Sequence, residues 1–283
     1  MRVHSYFDIP PPQLFGHRGA SGEAPENTRV AFERALAQGV PYLEMDCHAT
    51  ADGEIVIHHD ATLERTTDAL GPLCALRFAE LEKVDAGFRF TPDGGRTFPF
   101  RGSGVRVPRL AEVLAAFPAA RVNLEVKQAD PPIADEVVRV IRRARAGARV
   151  LLAAEDESVL AKLRALDAGT ALGSSLADVV EFVRAGAENR IESFAPRGHA
   201  LQVPTHALGR PLVTAHFVAA AHARGLVVHV WTINEPDEMR RLLALGVDGL
   251  MSDFPARLVA TARGGAGGER SQSGTRPARG VGE

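Results

Sequence analysis

The feature that most narrows the fold of this chain is a rhythm. Strand-length apolar runs alternate with helix-length amphipathic stretches from near Gln13 to beyond Met251. Parallel strands cannot be joined by a tight hairpin, so this alternation is the pattern of repeated β–α units around a parallel sheet. The runs expected as strands are 13–16, 42–50, 121–126, 150–153, 170–172, 193–195, 226–231 and 249–251. Helices are expected near 28–38, 109–117, 132–146, 157–165, 176–185, 214–224 and 235–245, with a last one after the final strand. Asn27 or Thr28 caps the first helix and Gly39 ends it. An open doubly wound sheet has the same local pattern. Eight units match a closed barrel, however, and no dinucleotide-binding glycine fingerprint follows the first run. The expected class is therefore α/β, a (β/α)8 TIM-type barrel, for which 283 residues is an ordinary length.

Two stretches break the rhythm. Ala51-Asp52-Gly53 turns into a hairpin-like addition at 54–58. From about 66 to 108 the chain carries FRFTPDGGRTFPFRGSG, rich in Gly, Pro and Phe with no period, and reads as a small irregular insertion after the second strand. A single barrel domain is expected over 10–263. The Gly/Ser/Arg/Pro-rich 264–283 reads as a disordered tail.

Composition removes several function classes. A formal charge of −2 lacks the basic excess of a nucleic-acid-binding surface. No run of about 18 apolar residues is present, so no transmembrane segment is expected. The N-terminus has no apolar core of a signal peptide before its prolines. Cys47 and Cys74 lack metal-like spacing and fit a reducing compartment, so the protein is expected to be cytoplasmic.

Chemistry concentrates where a parallel barrel would place it, at the C-terminal ends of strands. His17 and Arg18 follow the first strand. Glu44 and Asp46 share one face of the second, with Met45 and Cys47 on the other. Asn123, Glu125 and Lys127 share a face of a later strand, and Trp231, Asn234, Ser252 and Asp253 close the last two. Charges inside apolar strands are costly unless paired or bound to a metal. Glu44, Asp46 and Glu125 would bring three carboxylates together, and like charges a few ångströms apart need a counter-cation. One divalent ion of oxygen preference, Mg²⁺ or Ca²⁺, meets that need, although the chain's arginines could do so instead. His17 and His59 are the candidate acid–base pair. His58 should face away from His59, whereas His48 shares the face of Glu44 and Asp46. Arg18 and Lys127 are candidate phosphate partners, or else neutralise neighbouring carboxylates. Lys127 is one of only three lysines among 33 basic residues, which gives it weight. Glu26 could orient Arg18, and Trp231 could pack against substrate or simply line the barrel mouth.

HRG (from His17), PENT (from Pro25), ExD (Glu44, Asp46) and HD (His59, Asp60) resemble, in order and spacing, the glycerophosphodiester phosphodiesterase family. The VHVWTIN and GVDGLMSDFP stretches extend the resemblance from about Leu14 to Pro255. Ser252 stands where the family commonly has Thr, and Ala111 where it has Glu. The resemblance implies metal ligands at Glu44, Asp46 and Glu125 and catalytic histidines at His17 and His59. It implies hydrolysis of a small-molecule glycerophosphodiester to an alcohol and sn-glycerol 3-phosphate. Two other readings stand beside it. ALQVP and LVTAHFVAAAHARG resemble lysophospholipase D-like relatives, for which Phe88, Phe90, Phe98 and Phe100 of the insertion could cover an acyl chain. The second is a non-catalytic phosphate-binding barrel.

Overall fold

The computed structural model describes residues 4–265. Its strands are β1 (Gln13–Gly16), β2 (Tyr42–Ala49), β3 (Ile55–Ile57), β4 (Arg121–Val126), β5 (Val150–Ala153), β6 (Ala171–Leu172), β7 (Ala200–Pro204), β8 (His206–Ala207), β9 (Arg210–Pro211), β10 (Val227–Trp231) and β11 (Gly249–Ser252). The helices are α1 (Arg29–Ala37), α2 (Phe78–Leu81), α3 (Leu110–Ala116), α4 (Ala134–Arg143), α5 (Glu157–Leu166), α6 (Leu176–Ala187), α7 (Ala215–Ala223), α8 (Pro236–Ala244) and α9 (Pro255–Gly265).

Eight of these strands run parallel in the order β6-β5-β4-β2-β1-β11-β10-β7. The Gly173–Ala200 bridge and the His199 N–H donated to Leu172 O (2.7 Å) join the two ends, so the sheet closes into a barrel. The expected (β/α)8 architecture is therefore observed. β3 pairs antiparallel with β2, and β8 and β9 form a hairpin at the barrel mouth.

Alternation along the strands sorts the side chains. Met45 and Cys47 of β2 point outward and pack with Phe32, Leu110, Val137 and Leu160 beneath α1 and α3–α5. Leu201, Val203, Val228 and Val230 do the same beneath α6–α8, against Phe182, Phe217 and Met239. Inside, Phe15, Tyr42, Leu151 and Met251 fill the floor, and Tyr6 plugs it with a T-shaped contact to Tyr42. The insertion has a small apolar cluster of its own (Leu63, Leu73, Leu81, Val105), resting on Val56 of β3. Its phenylalanines are engaged locally: Phe90 packs on Phe100, and Arg101 lies over Phe88 and Phe98.

One expected strand is displaced. Residues 193–195 are not a strand; Ile191–Ser193 form a 3-10 turn and the seventh barrel strand is Ala200–Pro204. Phe194 lies in the helix–barrel layer, and Pro196 has no N–H for a ladder bond. In ALQVP the inward Gln202 interrupts the apolar run that would have marked the strand. Of the tail expected from 264, residues 266–283 lie outside the described residues, and α9 itself reaches Gly265.

Candidate active site

The HRG turn needs its flanking glycines. Gly19 has φ of +84°, and a Cβ there would meet the Ala31 carbonyl carbon at 2.6 Å. A Cβ on Gly16 would meet that of Ala35 at 2.8 Å. This close approach to α1 leaves His17 and Arg18 at the barrel mouth, where the Arg18 N–H donates to Glu44 Oε2 (2.8 Å). PENT does two jobs. Thr28 caps α1 by accepting from Ala31 N–H, while Asn27 reaches back to Asp46, donating from Nδ2 to Oδ2 (2.8 Å).

The β2–β4 register sets Glu44 beside Asn123 and Asp46 beside Glu125. Glu44, Asp46 and Glu125 each offer an oxygen within 4.8 Å of the others. Glu44 and Asp46 are nearly fully buried. Burial and the neighbouring Asp46 push Glu44 well above the usual carboxylate range. Burial also raises Glu125, against the lowering influence of Lys127. An all-oxygen, electron-rich donor set that resists ionising together fits a hard divalent cation.

Each candidate histidine is braced by an aspartate. His17 Nδ1 pairs with Asp253 Oδ1 (2.7 Å) and His59 Nδ1 with Asp60 Oδ1 (2.6 Å). Asp253 also accepts from Ser21 Oγ and Asn234 Nδ2. Burial opposes ionisation of both aspartates. The His17 bond, with Asn234 and Ser21, nevertheless holds Asp253 at about 2, and Arg65 with His59 holds Asp60 at about 2. An ionised acceptor at Nδ1 fixes the Nδ1–H form and frees Nε2 toward the cavity. Burial lowers the His17 pKa, but the Asp253 bond and Glu44 outweigh it and the net shift is upward.

Both candidate phosphate partners stand among carboxylates. Arg18 Nη1 pairs with Glu26 (2.9 Å) and its Nε with Asp46 (3.3 Å); Lys127 Nζ pairs with Glu125 (2.7 Å) and Asp46 (3.5 Å). Both line the same cavity, of about 360 Å³, with His17, His59, the three carboxylates and Trp231. The structure thus brings all eight sequence-derived candidates to one mouth. His48 does not join them, since its Nε2 is occupied by the His59 carbonyl (3.0 Å). His58 bonds Thr62 O, away from the cavity. Sequence reasoning missed Arg65, which holds Asp60 (2.5 Å) and Glu26 (2.6 Å) at once. It therefore ties the support of His59 to that of Arg18. Its only signal was the basic residue five positions after Asp60.

Paired imidazoles with free Nε2 atoms, opposite a hard-cation donor set at a barrel mouth, are the equipment of a phosphoric diester hydrolase. The comparisons narrow that class. The chain belongs to the Glycerophosphoryl diester phosphodiesterase family, whose model matches residues 17–257. It is 30% identical over 253 residues to a glycerophosphodiester phosphodiesterase of Bacillus altitudinis, covering 87% of this chain and 96% of that one. A lysophospholipase D of Rattus norvegicus is 26% identical over 267 residues, covering 86% and 83% respectively. Among solved structures, an Oleispira antarctica phosphodiesterase in complex with the product sn-glycerol-3-phosphate superposes with a TM-score of 0.70 at 26% identity. That match covers 89% of this chain and 97% of that one.

Proposed function

We propose that this enzyme hydrolyses glycerophosphodiesters to an alcohol and sn-glycerol 3-phosphate, with one bound divalent cation, Mg²⁺ or Ca²⁺, at Glu44, Asp46 and Glu125. The observation that carries the reading is the pair of aspartate-braced imidazoles facing one cavity with the three carboxylates. The cation, when bound, supplies positive charge to a phosphoryl oxygen and acidifies the attacking hydroxyl. The chain's own residues do the rest. One imidazole Nε2 takes the proton of the attacking oxygen and the other delivers a proton to the leaving oxygen. This division holds whether water or a neighbouring substrate hydroxyl attacks. Asp253 and Asp60 keep the rings oriented and stabilise whichever is positively charged. Arg18 and Lys127 hold the phosphate charge as it grows, and Glu26 and Asn27 keep Arg18 and Asp46 in place.

Glycerophosphocholine turnover with chelator tests the reading. EDTA is expected to abolish release of glycerol 3-phosphate, and added Ca²⁺ or Mg²⁺ to restore it; full turnover in EDTA would remove the cation from the proposal. Steady product release would also exclude a phosphate-binding barrel without catalysis. A second reading has its own support. Leu176, Val179 and Trp231 give the cavity an apolar wall, which suits a substrate bearing an acyl chain, as in a lysophospholipid. The free thiols of Cys47 and Cys74 support a cytoplasmic setting.

A further inference from the structure

Three acidic residues in succession lead from β5 into the first turn of α5, and two of them have structural work. Asp156 caps α5 by accepting from the Ser158 N–H (2.7 Å), and Glu157 pairs with Arg164 (3.6 Å). Glu155 has neither task. Its side chain is exposed, lines the cavity, and has no ion-pair partner among the described residues. Lys127 is already engaged, with Nζ 2.7 Å from Glu125 and 3.5 Å from Asp46. Burial lowers the Lys127 pKa, but Glu125, Asp46 and, more weakly, Glu155 outweigh it. The charge of Glu155 is therefore felt at a group assigned to the phosphate.

An unengaged carboxylate in a cavity that must take a phosphodiester has an electrostatic cost. The substrate's phosphate carries one negative charge, and Glu155 repels it through a medium that water screens only in part. That repulsion is offset when the substrate brings a positive charge of its own. Strand order separates the two ends of the cavity. In the closed ring of eight, β5 and β10 are three strands apart, which puts Glu155 and Trp231 nearly across the mouth from each other. The two ester oxygens of a tetrahedral phosphorus diverge, so the glycerol half and the headgroup reach different parts of that mouth. Trp231 offers hydrocarbon, which suits the uncharged glycerol half. Glu155 offers charge to the other.

We infer that Glu155 selects glycerophosphodiesters with a cationic headgroup, choline or ethanolamine, by meeting the headgroup nitrogen while Arg18 and Lys127 hold the phosphate. Such selection rests on the catalytic reading above and narrows the substrate class of that same site. The test compares kcat/KM for glycerophosphocholine and glycerophosphoglycerol in wild type and Glu155→Gln, with Mg²⁺ or Ca²⁺ at saturation. The first diester has a cationic headgroup and the second a neutral one. In the variant the ratio of the two values is expected to fall about fivefold, near the upper end for an exposed ion pair. Relief of repulsion should raise the glycerophosphoglycerol value as the glycerophosphocholine value falls. Glu155→Asp should recover part of the ratio, and added NaCl should narrow the wild-type preference by screening. A ratio left unchanged by Glu155→Gln, whether or not both values move, would overturn the inference. An unchanged ratio with a higher cation requirement would do so by assigning Glu155 to the cation. Failure of wild type to hydrolyse either diester with cation present would remove the catalytic reading instead. Calorimetric binding of the same two diesters to both proteins would then decide the headgroup assignment by the same ratio.

Discussion

Acidification should destabilise this barrel through one interior histidine. His229, on β10, is fully buried inside the barrel. Its Nε2–H donates to Gln13 Oε1 (2.8 Å), and its Nδ1 accepts from Gln202 Nε2 (3.3 Å). Gln202 Nε2 also donates to Asn123 Oδ1 (2.8 Å), which fixes its amide as a donor on this side. A second proton on the ring would therefore meet N–H with N–H. Burial pushes the His229 pKa down to about 3, against about 6.5 in an unfolded chain. A depressed pKa contributes stability that is complete above the unfolded value and is lost as pH falls toward the folded one. Between pH 7 and 5 the loss is about 2 kcal/mol, and it reaches roughly 4 kcal/mol near pH 3. The figure at pH 5 depends only on the unfolded pKa so long as the folded one lies below about 4. Urea unfolding of the enzyme at both pH values reads it out. With a slope of about 3 kcal/mol per molar, the midpoint should fall by roughly 0.7 M from this site alone. His229→Gln keeps a donor and an acceptor but cannot titrate, so its stability should fall about 2 kcal/mol less over the same interval. Equal pH increments in variant and wild type would refute the account.

His17→Ala and His59→Ala should each lower kcat by roughly 10²- to 10⁴-fold, measured as glycerol 3-phosphate release; wild-type turnover in either would acquit that imidazole. Asp253→Asn and Asp60→Asn set an amide donor against Nδ1 and favour the wrong ring tautomer. Each should cost about 10²-fold or more in kcat with little change in KM, and a pure KM effect would contradict the brace. Arg65→Met should lower kcat by roughly 10- to 100-fold through misplacement of His59 and Arg18 together, with partial recovery in Arg65→Lys. An unaltered kcat would mean that Asp60 and Glu26 hold their places without it.

The parts of this enzyme that were readable in its sequence are those carried by local periodicity and by short motifs. Period-two spacing placed Glu44 and Asp46 inward and Met45 and Cys47 outward, and the β2–β4 register then set Glu125 beside Asp46. The seventh strand was not readable, because its inward Gln202 serves His229 and Asn123 and so breaks the apolar run. His48 shows the limit of a face argument. It lies on the strand face of Asp46, yet its ring is drawn to the His59 carbonyl, where it supports the His59 segment without lining the cavity.

The aspartate braces were half legible for a geometric reason. Asp60 is the chain neighbour of His59, so HD announces its own pair, whereas His17 and Asp253 are separated by 236 positions. Closure of the barrel is what makes them adjacent: β1 and β11 pair, Gly16 beside Ser252, and His17 N–H donates to the Ser252 carbonyl (2.9 Å). Sectors that meet across the β1–β11 seam pool polar groups from both ends of the chain. The first and last strands thus bring His17 to its brace, while Glu44, Asp46 and Glu125 come from β2 and β4 beside them.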